Sequence, residues 1–187
     1  LRPYRACRFV AKLEFTMEEK TFNAITDALD IARCVSAERV RDELVKLLEA
    51  RRPSVGLEYM RKSGLMELFL PELARCYGIE QNKYHLYDIY YHSVYSCDAA
   101  SLGNRVVRLA ALLHDIGKVA TKREGEDGDS TFYNHEVLGA RMARKILTRL
   151  RFSNEDVERV TNLIVNHMFH YTDDWTDGAV RRFMRKV

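Results

Sequence analysis

Apolar residues recur mostly three and four positions apart along this chain, the spacing of one face of a helix. Phe22, Ile25, Ala28, Leu29 and Ala32 follow that spacing, and Thr16 followed by Glu19 forms a capping box ahead of them, which predicts a helix over 18–35. Ser36 opens a second helix with Val40, Leu44, Leu47 and Leu48 on one face. Arg51-Arg52-Pro53 ends it, because proline disfavours helix in the residue before it. Shorter helical pieces bounded by Ser, Gly or Pro are expected at 56–62 and 65–69. A strongly apolar helix over 105–116 stops at Gly117, a usual helix-ending position. Three further helices are expected at 135–150, 154–167 and from 176 onward. No stretch alternates with period two, so the predicted fold class is all-α. The polar stretch TKREGEDGDST at 121–131 reads as a solvated loop, and its DGD core lacks the spacing of a calcium-binding EF-hand.

Composition adds bounds rather than a function. The 187 residues are 47% hydrophobic and 30% charged, the balance of a soluble globular protein with a sizeable core. A change of character near residue 80 divides the chain into 1–80 and 81–187. The net charge of +3 includes many arginines, which permits a nucleic-acid partner without requiring one. Four scattered cysteines (Cys7, Cys34, Cys76 and Cys97) form no CxxC pair and are expected to be reduced, buried, small hydrophobes of a cytoplasmic protein. No apolar stretch is long enough for a bilayer span, so no membrane partner is expected.

The chemistry concentrates in the second half, where all six histidines lie. His114 and Asp115 follow the apolar run Leu109–Leu113 directly. Burying an imidazole and a carboxylate side by side is costly unless something pairs with both, and a divalent metal ion does so. His92, His135 and His167 sit in three other elements, where side chains can converge. Asp173 and Asp174 follow in a loop. Any one of these histidines alone is more often a core or surface residue than a ligand, and His85 and His170 are read that way. The tyrosine-rich stretch at 84–95 is read as packing. Lys118 fits equally an ordinary lysine near a helix end and a cation for a phosphate.

Taken in order, His92, LLHDIGK (112–118), NHE (134–136) and NHM (166–168) resemble the HD superfamily of metal-dependent phosphohydrolases over about residues 85–175. The resemblance implies an HD-type helical bundle in which His92, His114, Asp115 and a late aspartate, Asp173 with Asp174 as rival, hold one ion. It further implies that His135 and His167 hold a second, with Asp115 bridging, and that His114, Asp115 and Lys118 serve catalysis. Histidine and aspartate ligands suit Mn, Fe, Ni, Co or Zn, and Mg less well, so the divalent ion is left open.

Arg2, Arg5 and Arg8 recur every three residues, which on a helix aligns three guanidinium groups for a polyphosphate or RNA backbone, or for a salt-bridged face. LRPYRACRFVAKLEFTMEEKTFNAI and SAERVRDELVKLL are similar to the neck of class II tRNA nucleotidyltransferases and bacterial poly(A) polymerases. The resemblance implies a helical neck in which Arg2 reads the incoming base and Arg5 and Arg8 lie near the nucleoside triphosphate. It also implies RNA, a tRNA or mRNA 3′ end, as the parent's partner. Arg181, Arg182, Arg185 and Lys186 read equally as a further RNA contact or as the solvated face of a helix. The glycine-rich loop and paired aspartates of the palm are missing from the chain, so nucleotide addition by this chain alone is not expected. Three readings follow. The HD portion hydrolyses phosphoesters such as 2′,3′-cyclic phosphates within an RNA 3′-end-processing protein; or it positions RNA without catalysis; or the chain is an independent HD nucleotide phosphohydrolase. Nothing in the sequence separates CCA addition from poly(A) synthesis.

Overall fold

The computed structural model describes residues 1–83, 85–125, 128–169, 172 and 175–186, apart from the Lys186 side chain. Among these residues the protein is helical except for one two-stranded pair, as expected, and no helix is long and apolar enough to cross a membrane. Helix α1 (Arg2–Leu13) carries Pro3 in its first turn, where a missing N–H costs nothing, and buries Tyr4, Cys7, Val10 and Ala11. The helix predicted over 18–35 is broken at Ala28 into α2 (Glu19–Asp27) and α3 (Leu29–Arg33). Each piece buries one residue, Ile25 and Ala32, so no continuous apolar face holds them as one rod. The capping box does not form either: Glu18 caps α2 and contributes no side-chain bond. Helix α4 (Ala37–Leu48) starts after Ser36 as expected and buries Val40, Leu44, Leu47 and Leu48.

Pro53, the residue expected to stop one helix, starts the next, α5 (Pro53–Lys62). Helices α1 and α5 approach closely at Gly56, where a Cβ would lie 2.6 Å from the Cys7 carbonyl oxygen. A 3₁₀ turn (Met66–Leu68) and α6 (Pro71–Ala74) complete the first half.

The second half contains α7 (Ile89–Ala99), α8 (Arg105–Leu113) and the short α9 (Lys118–Thr121). Strands β1 (Arg123–Glu124) and β2 (Ser130–Thr131) pair antiparallel inside the segment expected to be all loop, and two residues each are too few for any alternation to be read. Helices α10 (His135–Arg149) and α11 (Asn154–Val165) pack along each other, α11 against α8 and α8 against α7, with α12 (Asp177–Lys186) last. Helix α8 ends at Leu113, short of the expected 116, and Gly117 has a φ of −69°, so it is not a left-handed terminator. Its lack of a side chain serves another purpose. A Cβ there would collide with the His135 carbonyl oxygen and lie 2.7 Å from the Gly139 nitrogen.

One hydrophobic core runs from Tyr4 through Leu47, Leu57, Leu73 and Ile89 to Leu113 and Ile164, crossing residue 80. Arg108 of α8 is fully buried in it and donates hydrogen bonds to the carbonyls of Leu48, Ala50 and Ala100. Cys7, Cys76 and Cys97 are buried as expected, but Cys34 is exposed, because it caps the outward-facing end of α3. Of the tyrosine stretch, Tyr90 packs as expected, fully buried with ring contacts to Tyr77 and Tyr91, whereas Tyr87 and Tyr95 are exposed and Tyr84 lies outside the described residues.

Candidate metal centre

Four helical elements deliver the site. His92 lies in the first turns of α7, whose start is fixed by Asp88 accepting a hydrogen bond from the Tyr91 N–H. His114 caps α8, Asp115 follows in the turn, His135 is the first residue of α10, and His167 lies in the turn after α11. The glycine contact at Gly117 lets the turn carrying His114 and Asp115 press directly on the start of α10. The HD resemblance implied these five residues as ligands, and the fold brings all five together.

The geometry has two halves that share one carboxylate. His92 Nε2 and His114 Nε2 lie 3.4 and 3.1 Å from Asp115 Oδ2. His135 Nε2 and His167 Nε2 lie 3.4 and 3.6 Å from Oδ1. The two imidazole pairs are themselves close, with Nε2 separations of 3.1 and 3.2 Å. Each set of three offers one ligand atom per residue within 4.8 Å of the others.

Hydrogen bonding orients three of the four rings alike. The Nδ1–H of His114, His135 and His167 donates to the carbonyl three residues earlier, on Ala111, Phe132 and Ile164, at 2.7–2.8 Å. In the neutral rings this leaves each Nε2 with a lone pair aimed inward. His135, His167 and Asp115 Oδ1 then direct three lone pairs at one point, an arrangement that repels unless a cation occupies it. Asp115 is 1% exposed, and neither carboxylate oxygen receives a well-directed hydrogen bond among the described residues. A buried carboxylate whose Oδ2 has Lys118 beside it and whose Oδ1 faces imidazole lone pairs fits divalent metal ligation, with the backbone carbonyls as the outer partners that fix each ring.

The rings and the carboxylate also shift one another's protonation. Burial alone would raise the Asp115 carboxyl, but the ring nitrogens of His114 and His135, with Lys118, outweigh it and hold it well below the usual carboxylate range. Burial, reinforced by His114, pushes His92 down to about 4, and burial lowers His167. Burial opposes protonation of His135 too, but its contact with Asp115 prevails and raises it. Lys118 is buried, with Nζ 2.8 Å from Asp115 Oδ2 and 2.7 Å from Gln81 Oε1. It is therefore no ordinary solvated lysine.

A cavity of about 670 Å³ opens over this set and is lined also by Asn82, His85, Phe132 and Tyr133. His85, read from sequence as ordinary, meets the His92 ring edge-on at a centroid distance of 5.4 Å. Gln81 was not singled out at all. Both reach the site from the loop before α7, and nothing in their local spacing signals it. Asp173 and Asp174 lie outside the described residues.

The arginine row of α1 has a different setting. The Nε atoms of Arg5 and Arg8 lie 3.1 and 2.7 Å from the Glu43 carboxylate of α4, which is 2% exposed. Arg2 is exposed and has no ion pair among the described residues. Arg181, Arg182 and Arg185 lie exposed on α12, Arg181 being 3.8 Å from Asp177.

Known proteins match this chain in both of its halves. Residues 84–182 match the HD domain family, and residues 14–77 match a family described as the probable RNA and SrmB-binding site of polymerase A. The chain is 35% identical to the A-adding tRNA nucleotidyltransferase of Deinococcus radiodurans, covering 100% of this chain and 45% of that protein. It is 35% identical to the CC-adding tRNA nucleotidyltransferase of Thermus thermophilus, covering 98% of this chain and 44% of that protein. The multifunctional CCA protein of Neisseria gonorrhoeae is 32% identical, with 100% of this chain and 47% of that protein aligned. The chain thus spans a little under half the length of these curated relatives. Each alignment runs through both the arginine-bearing first half and the histidine site, and so the chain belongs to the tRNA nucleotidyltransferase and poly(A) polymerase family, of which it carries the neck and the HD domain.

Proposed function

We propose that the HD centre is a metal-dependent phosphohydrolase site acting on phosphoesters, 2′,3′-cyclic phosphates among them, within a protein that matures RNA 3′ ends. The observation that carries this reading is the pair of His₂ sets sharing the buried Asp115. His92, His114 and Asp115 would hold one divalent ion, joined by Asp173 or Asp174, and His135, His167 and Asp115 a second. Ions held there supply Lewis-acid activation of water and charge neutralisation of the phosphoryl group. The chain's own residues do the rest. Asp115 fixes the two sets relative to one another, the carbonyl-bound Nδ1–H groups keep each Nε2 available, and Lys118 offers a cation to a phosphate oxygen from a position fixed by Gln81.

Elsewhere, Glu43 engages the Nε atoms of Arg5 and Arg8; the half-exposed Arg5 keeps terminal nitrogens for a triphosphate or an RNA phosphate, with exposed Arg2 beside it, whereas Arg8 is largely covered and lies over the Phe9 ring. RNA binding and a nucleoside triphosphate are assigned to that face of the neck, and RNA also to the arginines of α12, where Lys186 stands next in sequence.

The test is elemental analysis of the chain coupled to hydrolysis of bis-p-nitrophenyl phosphate and 2′,3′-cyclic AMP with Mn, Ni, Co, Zn or Mg supplied. Bound metal with turnover that vanishes in Asp115→Ala is expected. Bound metal with no turnover under any of these ions overturns the hydrolase and leaves the RNA-positioning reading. RNA affinity that falls steeply with salt would mark the phosphate contacts of the neck.

A further inference from the structure

Behind the metal-facing cavity lies a second, of about 500 Å³, walled by Ser96, Val107, Ala110, Ala111, Phe169 and Phe183. The two cavities share His114 and His167 and no other lining residue, so they meet at this imidazole pair. Their chemistry is opposite. The first holds Lys118, Asp115, Glu136 and five histidines, whereas no Asp, Glu, Lys or Arg lines the second. A nucleotide has the same two-sided character, an anionic phosphate next to a planar, weakly polar ring.

We propose that the second cavity is a nucleobase subsite of the HD centre, so that the preferred substrate is a nucleoside phosphoester, its phosphate on the Lys118 side and its base against Phe169. This rests on the phosphohydrolase reading of the same centre. The size falls within the range of roughly 300–1,000 Å³ typical of small-ligand sites. Phe169 is 39% exposed, yet it is held in place, stacked on Phe183 at 3.8 Å and 15° and met edge-on by Trp175 at 5.0 Å. A fixed aromatic ring with surface to spare is the usual platform for a base. Two polar groups stand ready at the wall. Ser96 makes no side-chain hydrogen bond among the described residues, and Asn166 uses only its Nδ2, towards Asn162, leaving its Oδ1 as an acceptor. A hydroxyl and an amide oxygen together can meet the donors and acceptors on a base edge.

The experiment compares kcat/KM of the full chain, with its activating metal, on 2′,3′-cyclic AMP and on the base-free methyl riboside 2′,3′-cyclic phosphate. Wild type should prefer the nucleotide by roughly 5- to 100-fold, the range of one base–aromatic stack. In Phe169→Ala, and in Val107→Phe, which fills the cavity from its rim, that ratio should fall toward one. Equal kcat/KM for the two esters in wild type, or a preference that survives both substitutions, overturns the subsite. If neither ester is hydrolysed, the hydrolase reading is what has failed, and the subsite is judged by binding. Trp175, the single tryptophan, touches Phe169 and reports on it. Saturable quenching by adenosine that weakens at least about 5-fold in Val107→Phe supports the subsite. No saturable change, or quenching untouched by Val107→Phe, rejects it.

Discussion

At the scale of single residues, Asp115 is the one group that both halves of the metal centre need. Replacing it by asparagine keeps the size but removes the charge and one acceptor, and four imidazoles then face a neutral amide. Asp115→Asn should therefore lose both ions, each bound at least about 100-fold more weakly, since even outer-shell changes at metal sites cost about 10–100-fold. His135→Ala should lose only the ion of its own set. Equilibrium dialysis with elemental analysis separates these outcomes, and a His135→Ala protein that binds neither ion would contradict the two-set arrangement. Gly117→Ala works through shape alone, driving a methyl into the His135 carbonyl. It should destabilise the fold by about 1–3 kcal/mol, as overpacking does, and weaken metal binding by shifting His135 away from Asp115, read from the denaturant midpoint and the same dialysis. Much of this centre was legible in the sequence, because HD, NHE and NHM place their histidines at helix ends. Gln81 and His85 were not, since their roles arise only when the loop before α7 meets the α8–α9 turn, a contact no local spacing encodes.

At the scale of elements, α1 and α4 are joined by a buried carboxylate between two guanidinium groups. Burial by itself would raise Glu43, but hydrogen bonds from Arg8 and Arg5 prevail and lower it from the ordinary 4.5. A carboxyl depressed in the folded state contributes stability above the unfolded value of about 4.5, lost as pH falls through the lower folded value. Glu58 and Glu72, each also lowered by an arginine partner against the opposing effect of burial, add to the same acid-side loss. Glu43→Gln should cost about 2 kcal/mol near neutrality, the scale of a hydrogen bond to a charged group, and should flatten the decline of stability below pH 4.5. Urea midpoints measured from pH 7 to pH 3 test this, and an unchanged acid slope in Glu43→Gln would remove Glu43 from the account. The same pair shows what periodicity can deliver. Helix α4 was readable because four buried positions repeat along one face, whereas α2 and α3 read as one helix because their apolar residues keep the spacing without all being buried. Periodicity reports a possible face; burial against neighbours decides whether it continues.

At the scale of the whole molecule, the change of character near residue 80 raises the question of whether the neck and the HD domain fold separately. Packing argues for one unit. Arg108 sits in the HD half, yet it satisfies the Leu48 and Ala50 carbonyls at the end of α4, and Arg149 of α10 pairs with Glu72 of α6 at 2.8 Å. Removing the Arg108 guanidinium leaves the buried Leu48 and Ala50 carbonyls without their donor, each costing on the order of 1–3 kcal/mol, so no halfway state with only one half folded is cheap. Ligand binding makes this measurable, since metal at 100 times its Kd stabilises the folded state by about 2.7 kcal/mol. If the two halves open together, that gain must appear in the slowest amides of α1 and α4, far from the ions, as about 100-fold slower hydrogen exchange. Arg108→Met should uncouple them, so that metal still protects α10 and α11 but no longer α1. Amides of α1 and α4 that exchange equally fast with and without metal in the wild-type chain would instead establish two independent domains, and the Arg108 bridge would then be a contact across their interface rather than part of one cooperative core.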